Sequence, residues 1–214
     1  FQELHGTRPS VLSSRSGIAV RCPMDWEFQF LNWIQENWHN DVLTTVLRWI
    51  TTLGNGGILW ILLSLLLWIP RKTRKCGISM SLSLLLCGIL GNLILKPWIG
   101  RIRPYDINTS IELLLPALSD FSFPSGHTYA AFAGAVTLFI FYKKSGIAAL
   151  ILACLIAFSR LYFYVHFPTD IMAGMVMGIL LACLSVWLVR RFLWPRLPAS
   201  FTREHSASVS NTQK

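Results

Sequence analysis

A series of long apolar segments runs through this chain, and it constrains the fold more than any other feature. The segments lie at residues 56–69, 77–95, about 128–142, 146–165 and 171–189, and the first continues upstream through residues 42–54. A helix needs about 20 mostly apolar residues to cross a bilayer, with its ends in the interface. Backbone groups in lipid must be hydrogen-bonded internally, so such segments fold as helices. We therefore predict an all-α fold, a polytopic helical bundle in a membrane.

Residues 26–53 determine whether the bundle has five or six transmembrane helices. The first half of this segment mixes Trp and Phe with Glu, Asn and His, a composition typical of an amphipathic helix that lies in the interface. The second half is apolar enough to enter the membrane, apart from Arg48. We predict five to six spans on this basis.

The composition excludes several classes of protein. Only 14% of the 214 residues are charged, and 53% are hydrophobic, whereas a soluble domain carries about 25% charged residues. A soluble enzyme with a single core, a disordered protein and a small disulfide-stabilised module are therefore excluded.

The positive charge predicts the orientation of the spans. Lys and Arg outnumber Asp and Glu by 19 to 10, a net charge of +9, which alone is compatible with nucleic-acid binding. However, these residues form short clusters between apolar segments, at residues 71–75, 143–144 and 190–191, as expected for cytoplasmic ends of spans. Residues 96–127 and 160–170 then share the extracytoplasmic face. We predict a multi-pass cell-membrane protein that has the bilayer, and not nucleic acid, as its partner.

Three polar motifs lie in those two extracytoplasmic segments. Residues 96–104 (KPWIGRIRP) end the second span with a lysine and two arginines, which suit either snorkelling anchors or a clamp for phosphate oxygens. Residues 123–128 (FPSGHT) begin the next helix, where free backbone N–H groups and the helix dipole favour an anion.

The third motif is residues 159–170 (SRLYFYVHFPTD). An arginine, a histidine and an aspartate are costly in so apolar a chain, which indicates a function. His166 and Asp170 are four residues apart, so the carboxylate can bond one ring nitrogen and leave the other exposed as a nucleophile.

Together the three motifs resemble those of the type 2 phosphatidic acid phosphatase (PAP2) superfamily of membrane lipid phosphatases. They occur in the same order over about residues 50–190, and no key position is replaced. The resemblance implies a PAP2/haloperoxidase-like helical core. It also implies hydrolysis of a lipid phosphomonoester or diphosphate, such as phosphatidylglycerol phosphate, phosphatidate or undecaprenyl diphosphate. No metal and no other cofactor is implied.

The resemblance also implies roles for individual residues. His166 corresponds to the nucleophile that forms a phosphohistidine, Asp170 to the carboxylate that orients it, and His127 to the general acid. The substrate phosphate would be bound by residues of all three motifs: Lys96, Arg103, Ser125, Gly126 and Arg160. Arg101 is expected to make at most a peripheral contact with phosphate, and Asp106 and Asp120 are expected to be solvated loop residues.

Two other functions are compatible with these sequence features. A relative of the vanadate-dependent haloperoxidases shares the motifs, and a non-catalytic membrane transport or scaffold protein would use the same spans. We interpret residues 1–23 as a tag or non-native leader, 24–195 as the PAP2-type domain and 196–214 as a polar tail. The motifs identify neither the lipid substrate nor the oligomeric state.

Overall fold

The computed structural model describes residues 25–198, and over that range the chain is helical without strands, which confirms the predicted all-α class. Nine α-helices follow one another in this range: α1 (Asp25–Trp38), α2 (Asp41–Leu53), α3 (Ile58–Trp68), α4 (Arg74–Cys87), α5 (Lys96–Ile99), α6 (Pro104–Ile107), α7 (Gly126–Phe141), α8 (Lys143–Tyr162) and α9 (Pro168–Leu188). A π-helical segment, Gly88–Leu95, joins α4 to α5, and a second one, Val189–Leu193, extends α9. The predictions for residues 1–23 and for residues 199–214 of the tail lie outside the described residues.

Four of the described helices are long and apolar enough to cross a membrane, namely Asp41–Trp68, Arg74–Ile107, Lys143–Tyr162 and Pro168–Arg196. The helix α7 is apolar but shorter, with 16 residues. These five helices correspond to the five segments predicted from the sequence.

The segment at residues 26–53 divides between two roles. Its first half forms α1. Its second half, α2, joins α3 into one span across a short turn at residues 54–57, in which Gly56 and Gly57 both have positive φ angles, of 58° and 67°. Only glycine adopts this left-handed conformation without steric cost, so the two glycines let the chain bend within the span without ending it.

The helix α7 lies at the centre of the bundle and packs against α4, α8 and α9. Half of its ten buried residues are alanine or glycine, namely Ala130, Ala131, Ala133, Gly134 and Ala135. Small side chains let helix backbones in membranes approach closely. The shortness of α7 is consistent with this central position, because its neighbours cover most of its length.

We expect Gly178→Ala to destabilise the fold by about 1–3 kcal/mol, as overpacking does. A Cβ at Gly178 of α9 would lie 2.6 Å from the carbonyl oxygen of Tyr129 and 3.0 Å from Cβ of Phe132. Thermal unfolding in detergent, followed by circular dichroism, measures the effect.

The matched control is Gly88→Ala, because a Cβ at Gly88 meets nothing within 4 Å. Ala is favoured over Gly in a helix by about 1 kcal/mol, so this variant should unfold at the wild-type temperature or above it. Equal unfolding temperatures for the two variants would contradict close packing of α7 on α9.

The predicted basic clusters meet at one end of the bundle. The Lys75 ammonium lies 5.1 Å from the ring centre of Trp194, and the Arg190 guanidinium lies 4.9 Å from that of Phe141. The three polar motifs converge on the opposite end, where residues of all three line one cavity. The chain therefore separates its charges into two groups, one at each end of the bundle.

Candidate active site

A cavity of about 290 Å³ opens at the end of the bundle that carries the polar motifs. Its wall is formed by the end of the second span, the loop before α7, the start of α7 and the loop between α8 and α9. The ionisable and backbone groups that line it include Lys96, Arg103, Asp120, Gly126, His127 and His166. Five of these six are residues that the motifs predicted, and Asp120 is the addition.

His166 lies in the short loop between α8 and α9 and is only 1% exposed. Its Nε2 atom is 3.3 Å from Nη1 of Arg103. A guanidinium can only donate hydrogen bonds, so this contact requires Nε2 to be the unprotonated, accepting nitrogen. The proton of the neutral ring is then on Nδ1, and the lone pair of Nε2 points toward the Arg103 guanidinium.

Asp170 holds the other side of the ring, but it does so mainly through Ser122. The Oδ2 atom of Asp170 is 3.6 Å from Nδ1 of His166, longer than a hydrogen bond. The Ser122 hydroxyl donates to the same Oδ2 at 2.5 Å and lies 3.4 Å from Nδ1. Asp170 Oδ2 also accepts the backbone N–H of Phe167 at 2.9 Å, which fixes the start of α9. The direct bond expected from the spacing is thus replaced by a bridge through Ser122.

A second layer of charge lies behind Asp170. Nη1 of Arg101 donates to Asp170 Oδ1 at 2.7 Å and to the Thr169 hydroxyl at 2.6 Å, and its Nη2 pairs with Glu27 at 2.5 Å. Glu27 belongs to α1 and is 2% exposed. Arg101 therefore pairs with two carboxylates, Asp170 and Glu27. The network connects α1 to the carboxylate behind His166.

Asp120 was predicted to be a solvated loop residue, and it does lie half exposed in a loop, but its carboxylate also has two cationic partners. Its carboxylate forms ion pairs with Lys96 and, at 2.6 Å, with Nη2 of Arg103, while half of the side chain remains exposed. Although burial opposes ionisation, the hydrogen bonds and charges of Lys96 and Arg103 lower the pKa of Asp120 to about 2. The carboxylate is therefore a permanent anion within the cationic cluster.

His127 is the second residue of α7, and its Nε2 atom is 2.9 Å from Oδ1 of Asn55. Asn55 lies in the turn that joins α2 to α3. Because an amide oxygen only accepts, Nε2 of His127 carries a proton in this arrangement. The turn within the first span thus contributes directly to the site, which the sequence analysis did not anticipate.

The remaining predicted residues surround the cavity at different depths. The Gly126 backbone lines it, whereas the Ser125 hydroxyl is fully buried and accepts from the Thr128 hydroxyl at 3.0 Å. Arg160 is 2% exposed and donates from Nη1 to Thr51 at 2.6 Å, and its Nε has no hydrogen-bond partner among the described residues. Ser125 and Arg160 are therefore not brought to the cavity wall.

Burial lowers the pKa of His166 to about 4, with the charge of Arg103 acting in the same direction and Asp170 opposing both. His166 is therefore neutral at physiological pH. Within residues 25–198, no group of three or more His, Cys, Asp or Glu side chains is arranged to hold a metal ion.

Comparison with known proteins identifies the class to which this fold and site belong. The PAP2 superfamily matches residues 77–194, more than half of the chain, so the chain belongs to the PAP2 superfamily. This confirms the family predicted from the three motifs.

The relatives of this chain include proteins that are named as phosphatases. The chain is 38% identical over 128 residues to an undecaprenyl-diphosphatase of Sulfolobus acidocaldarius, covering 59% of this chain and 62% of the relative's length. The crystal structure of a PAP2-type phosphatidylglycerolphosphate phosphatase from Bacillus subtilis superposes with a TM-score of 0.63 at 28% identity, over 79% of this chain and 89% of that one. The structure of Aquifex aeolicus LpxE gives a TM-score of 0.64 at 27% identity, over 79% and 98% of the two chains.

Proposed function

We propose that this chain is a membrane phosphatase that releases phosphate from a lipid phosphomonoester or diphosphate through a phosphohistidine at His166. The observation that carries the proposal is the orientation of His166. Its ring is neutral and buried, and its unprotonated Nε2 faces the guanidinium of Arg103 in a cavity that Lys96 and His127 also line.

The first chemical step transfers the phosphoryl group to the protein. The lone pair of His166 Nε2 forms a bond to phosphorus, and the bond from phosphorus to the lipid oxygen breaks. The ring becomes cationic, and its Nδ1 proton is held by Ser122 and Asp170. A neighbouring carboxylate stabilises such an imidazolium. The leaving oxygen must then take a proton.

In our proposal His127 is protonated on both ring nitrogens when the substrate is bound. Its Nε2–H is donated to Asn55, so Nδ1 supplies the proton to the leaving oxygen and takes one back in the second step. His127 lines the same cavity as His166, and Asn55 holds its ring. In the second step water attacks the phosphohistidine, a proton of that water passes to His127, and the P–N bond breaks to release inorganic phosphate. A group that alternates between acid and base in this way is usual for two-step hydrolysis.

Positive charge supplies most of the transition-state stabilisation. Phosphoryl transfer spreads negative charge over the equatorial oxygens, so positioned cations dominate catalysis. Lys96 and Arg103 line the cavity, and the buried Nε of Arg160 lacks a partner within the described part of the chain. A buried polar group without a partner is costly, and a hydrogen bond to a phosphate oxygen would satisfy it.

The lipid character of the substrate is supported by a groove beside the cavity. An apolar groove of about 470 Å³ runs along α9 and the π-helical segment Gly88–Leu95, and Phe123 and Pro124 also line it. Ser125 and Gly126 follow directly in sequence. We propose that the hydrocarbon chain of the substrate lies in this groove while its phosphate occupies the cavity.

The proposed orientation puts the active site on the extracytoplasmic face. The basic clusters meet at the end of the bundle opposite the cavity, and such clusters mark cytoplasmic ends. Labelling of a cysteine introduced at the exposed Asp106 with a membrane-impermeant maleimide in intact cells tests this.

We expect the acid limb of kcat/KM to fall near pH 4 rather than near 6.5. His166 attacks only when neutral, and its pKa is lowered to about 4, so activity is retained above that pH and lost below it. The pH dependence of phosphate release from a detergent-solubilised lipid phosphate measures this limb. A limb near pH 6.5 would contradict a buried, neutral nucleophile.

A phosphate-release panel tests the proposed function. Purified protein is compared on undecaprenyl diphosphate, phosphatidylglycerol phosphate, phosphatidate and a water-soluble phosphate ester, with His166→Ala as the blank. Release from one or more lipids, and much less from the soluble ester, supports the proposal. No release from any of them would favour a transport or scaffold role.

A further inference from the structure

Lys96 and Arg103 together form a cationic clamp. This clamp already binds an anion of the protein itself, the carboxylate of Asp120. One carboxylate oxygen of Asp120 pairs with Lys96 and the other pairs with Arg103. Bridging of two cations by two oxygens of one group is also how a phosphate would bind between them. The Asp120 carboxylate therefore occupies the position in which two oxygens of the substrate phosphate would bind.

The hydrogen bonds of Arg103 show why the two anions cannot share the clamp. Its Nε donates to the Asp120 carbonyl at 2.9 Å, and Nη1 donates to the Val165 carbonyl at 2.7 Å and contacts Nε2 of His166 at 3.3 Å. Its Nη2 donates to Oδ1 of Asp120 at 2.6 Å and to the Phe121 carbonyl at 3.4 Å. A guanidinium has five N–H groups, so none is left for a phosphate oxygen while Asp120 is seated.

The Asp120 carboxylate can move away from Lys96 and Arg103 without changing the position of the Arg103 guanidinium. Its side chain is half exposed, and it lies in an irregular loop between α6 and α7. Arg103 would still be held by backbone carbonyls, including that of Asp120 itself. The carboxylate can therefore rotate into the aqueous cavity mouth while the guanidinium keeps its orientation toward His166.

We propose that Asp120 is an internal competitor for the phosphate-binding cations, displaced when the substrate phosphate binds and reseated as inorganic phosphate leaves. This inference rests on the proposed function for its substrate. In the free protein Asp120 pairs with two buried cations, Lys96 and Arg103. A buried cation without an anionic partner would be costly. After hydrolysis, the same carboxylate competes with the product and lowers its affinity for the clamp.

The test is the affinity of the clamp for small oxyanions. Orthovanadate and inorganic phosphate are titrated by isothermal calorimetry into detergent-solubilised wild type and Asp120→Asn. Asparagine keeps the shape and removes the charge, so we expect both dissociation constants to fall by about tenfold or more, as for loss of a competing charged hydrogen bond. The KM for the lipid phosphate should fall as well, without an increase in kcat.

The matched control is Asp106→Asn, which removes one negative charge from an exposed position in the same part of the chain and breaks no ion pair among the described residues. Its dissociation constants should stay within about twofold of wild type, because exposed charges are screened. If Asp120→Asn does not fold, Asp120→Ser tests the same expectation.

The measured dissociation constants distinguish a competing role of Asp120 from a role in positioning Lys96 and Arg103. If Asp120 served to hold Lys96 and Arg103 in place, its replacement would weaken anion binding, and an unchanged or higher dissociation constant overturns the proposal. Calorimetry needs no turnover, so the proposal can succeed or fail independently of whether the protein hydrolyses the lipids in the panel.

Discussion

Replacement of His166 by Asn is expected to reduce phosphate release by at least about a thousandfold, as loss of a nucleophile does. Nε2 is the unprotonated nitrogen and faces Arg103, whereas Nε2 of His127 faces the amide oxygen of Asn55. The measurement is single-turnover release of labelled phosphate from the best lipid of the panel.

The same experiment can detect the intermediate directly. A phosphohistidine is stable in alkali and is broken in acid, so an alkaline quench of wild type with ³²P-labelled lipid should retain label on the protein. The His166→Asn variant should retain none. Label on the variant, or turnover near the wild-type rate, would show that another group attacks phosphorus.

Folding must be controlled, because His166 is buried and packed in the α8–α9 loop. Asn preserves a polar side chain that can accept from Arg103. Thermal unfolding close to that of wild type, together with calorimetric binding of orthovanadate, would show that the clamp is intact in the inactive variant. Loss of catalysis with retention of anion binding is the specific signature of a missing nucleophile.

The site residues that could be predicted from the sequence are those that lie in short motifs at the ends of the spans. Lys96 and Arg103 end one span, and His166 and Asp170 lie four residues apart between two others, so the motif spacing and the count of spans predict that they meet. The spans themselves follow from hydropathy, because lipid forces apolar segments to be helical. The family and fold class could be predicted for the same reason.

The residues that sequence missed depend on packing between distant parts of the chain. Glu27 looks like one more polar residue of an interfacial helix, yet its carboxylate accepts from Thr169, 142 positions away. Asn55 meets His127 only because the first span bends at its glycines. Asp120 lies in a loop without any periodic pattern, so nothing local distinguishes it from the exposed Asp106.

Asp170→Asn is expected to lower kcat/KM by about a thousandfold to ten-thousandfold, the loss seen when the carboxylate behind a catalytic histidine is neutralised. Asp170 accepts from Ser122 and pairs with Arg101. An amide at this position can instead donate to Ser122, which favours the proton on Nε2 of His166. The nucleophilic lone pair would then point away from phosphorus.

The control for Asp170→Asn is Glu27→Gln, which weakens the same network one step further from His166. Arg101 would keep its bond to Asp170 and lose its pairing with a charged Glu27. Because Glu27 reaches Asp170 only through Arg101 and Thr169, its loss should reduce kcat by about tenfold, the size expected for an outer positioning partner. KM should stay unchanged, since no phosphate contact is removed.

A purely structural role for Asp170 makes a different prediction. Its Oδ2 accepts the Phe167 N–H at the start of α9, and loss of such a cap lowers stability by about 1 kcal/mol without altering the histidine tautomer. The two roles are separated by ¹⁵N NMR of the histidine ring in the folded variant. A wild-type tautomer with little activity lost would assign Asp170 to the helix cap, whereas a proton moved to Nε2 ties the lost rate to the orientation of the nucleophile.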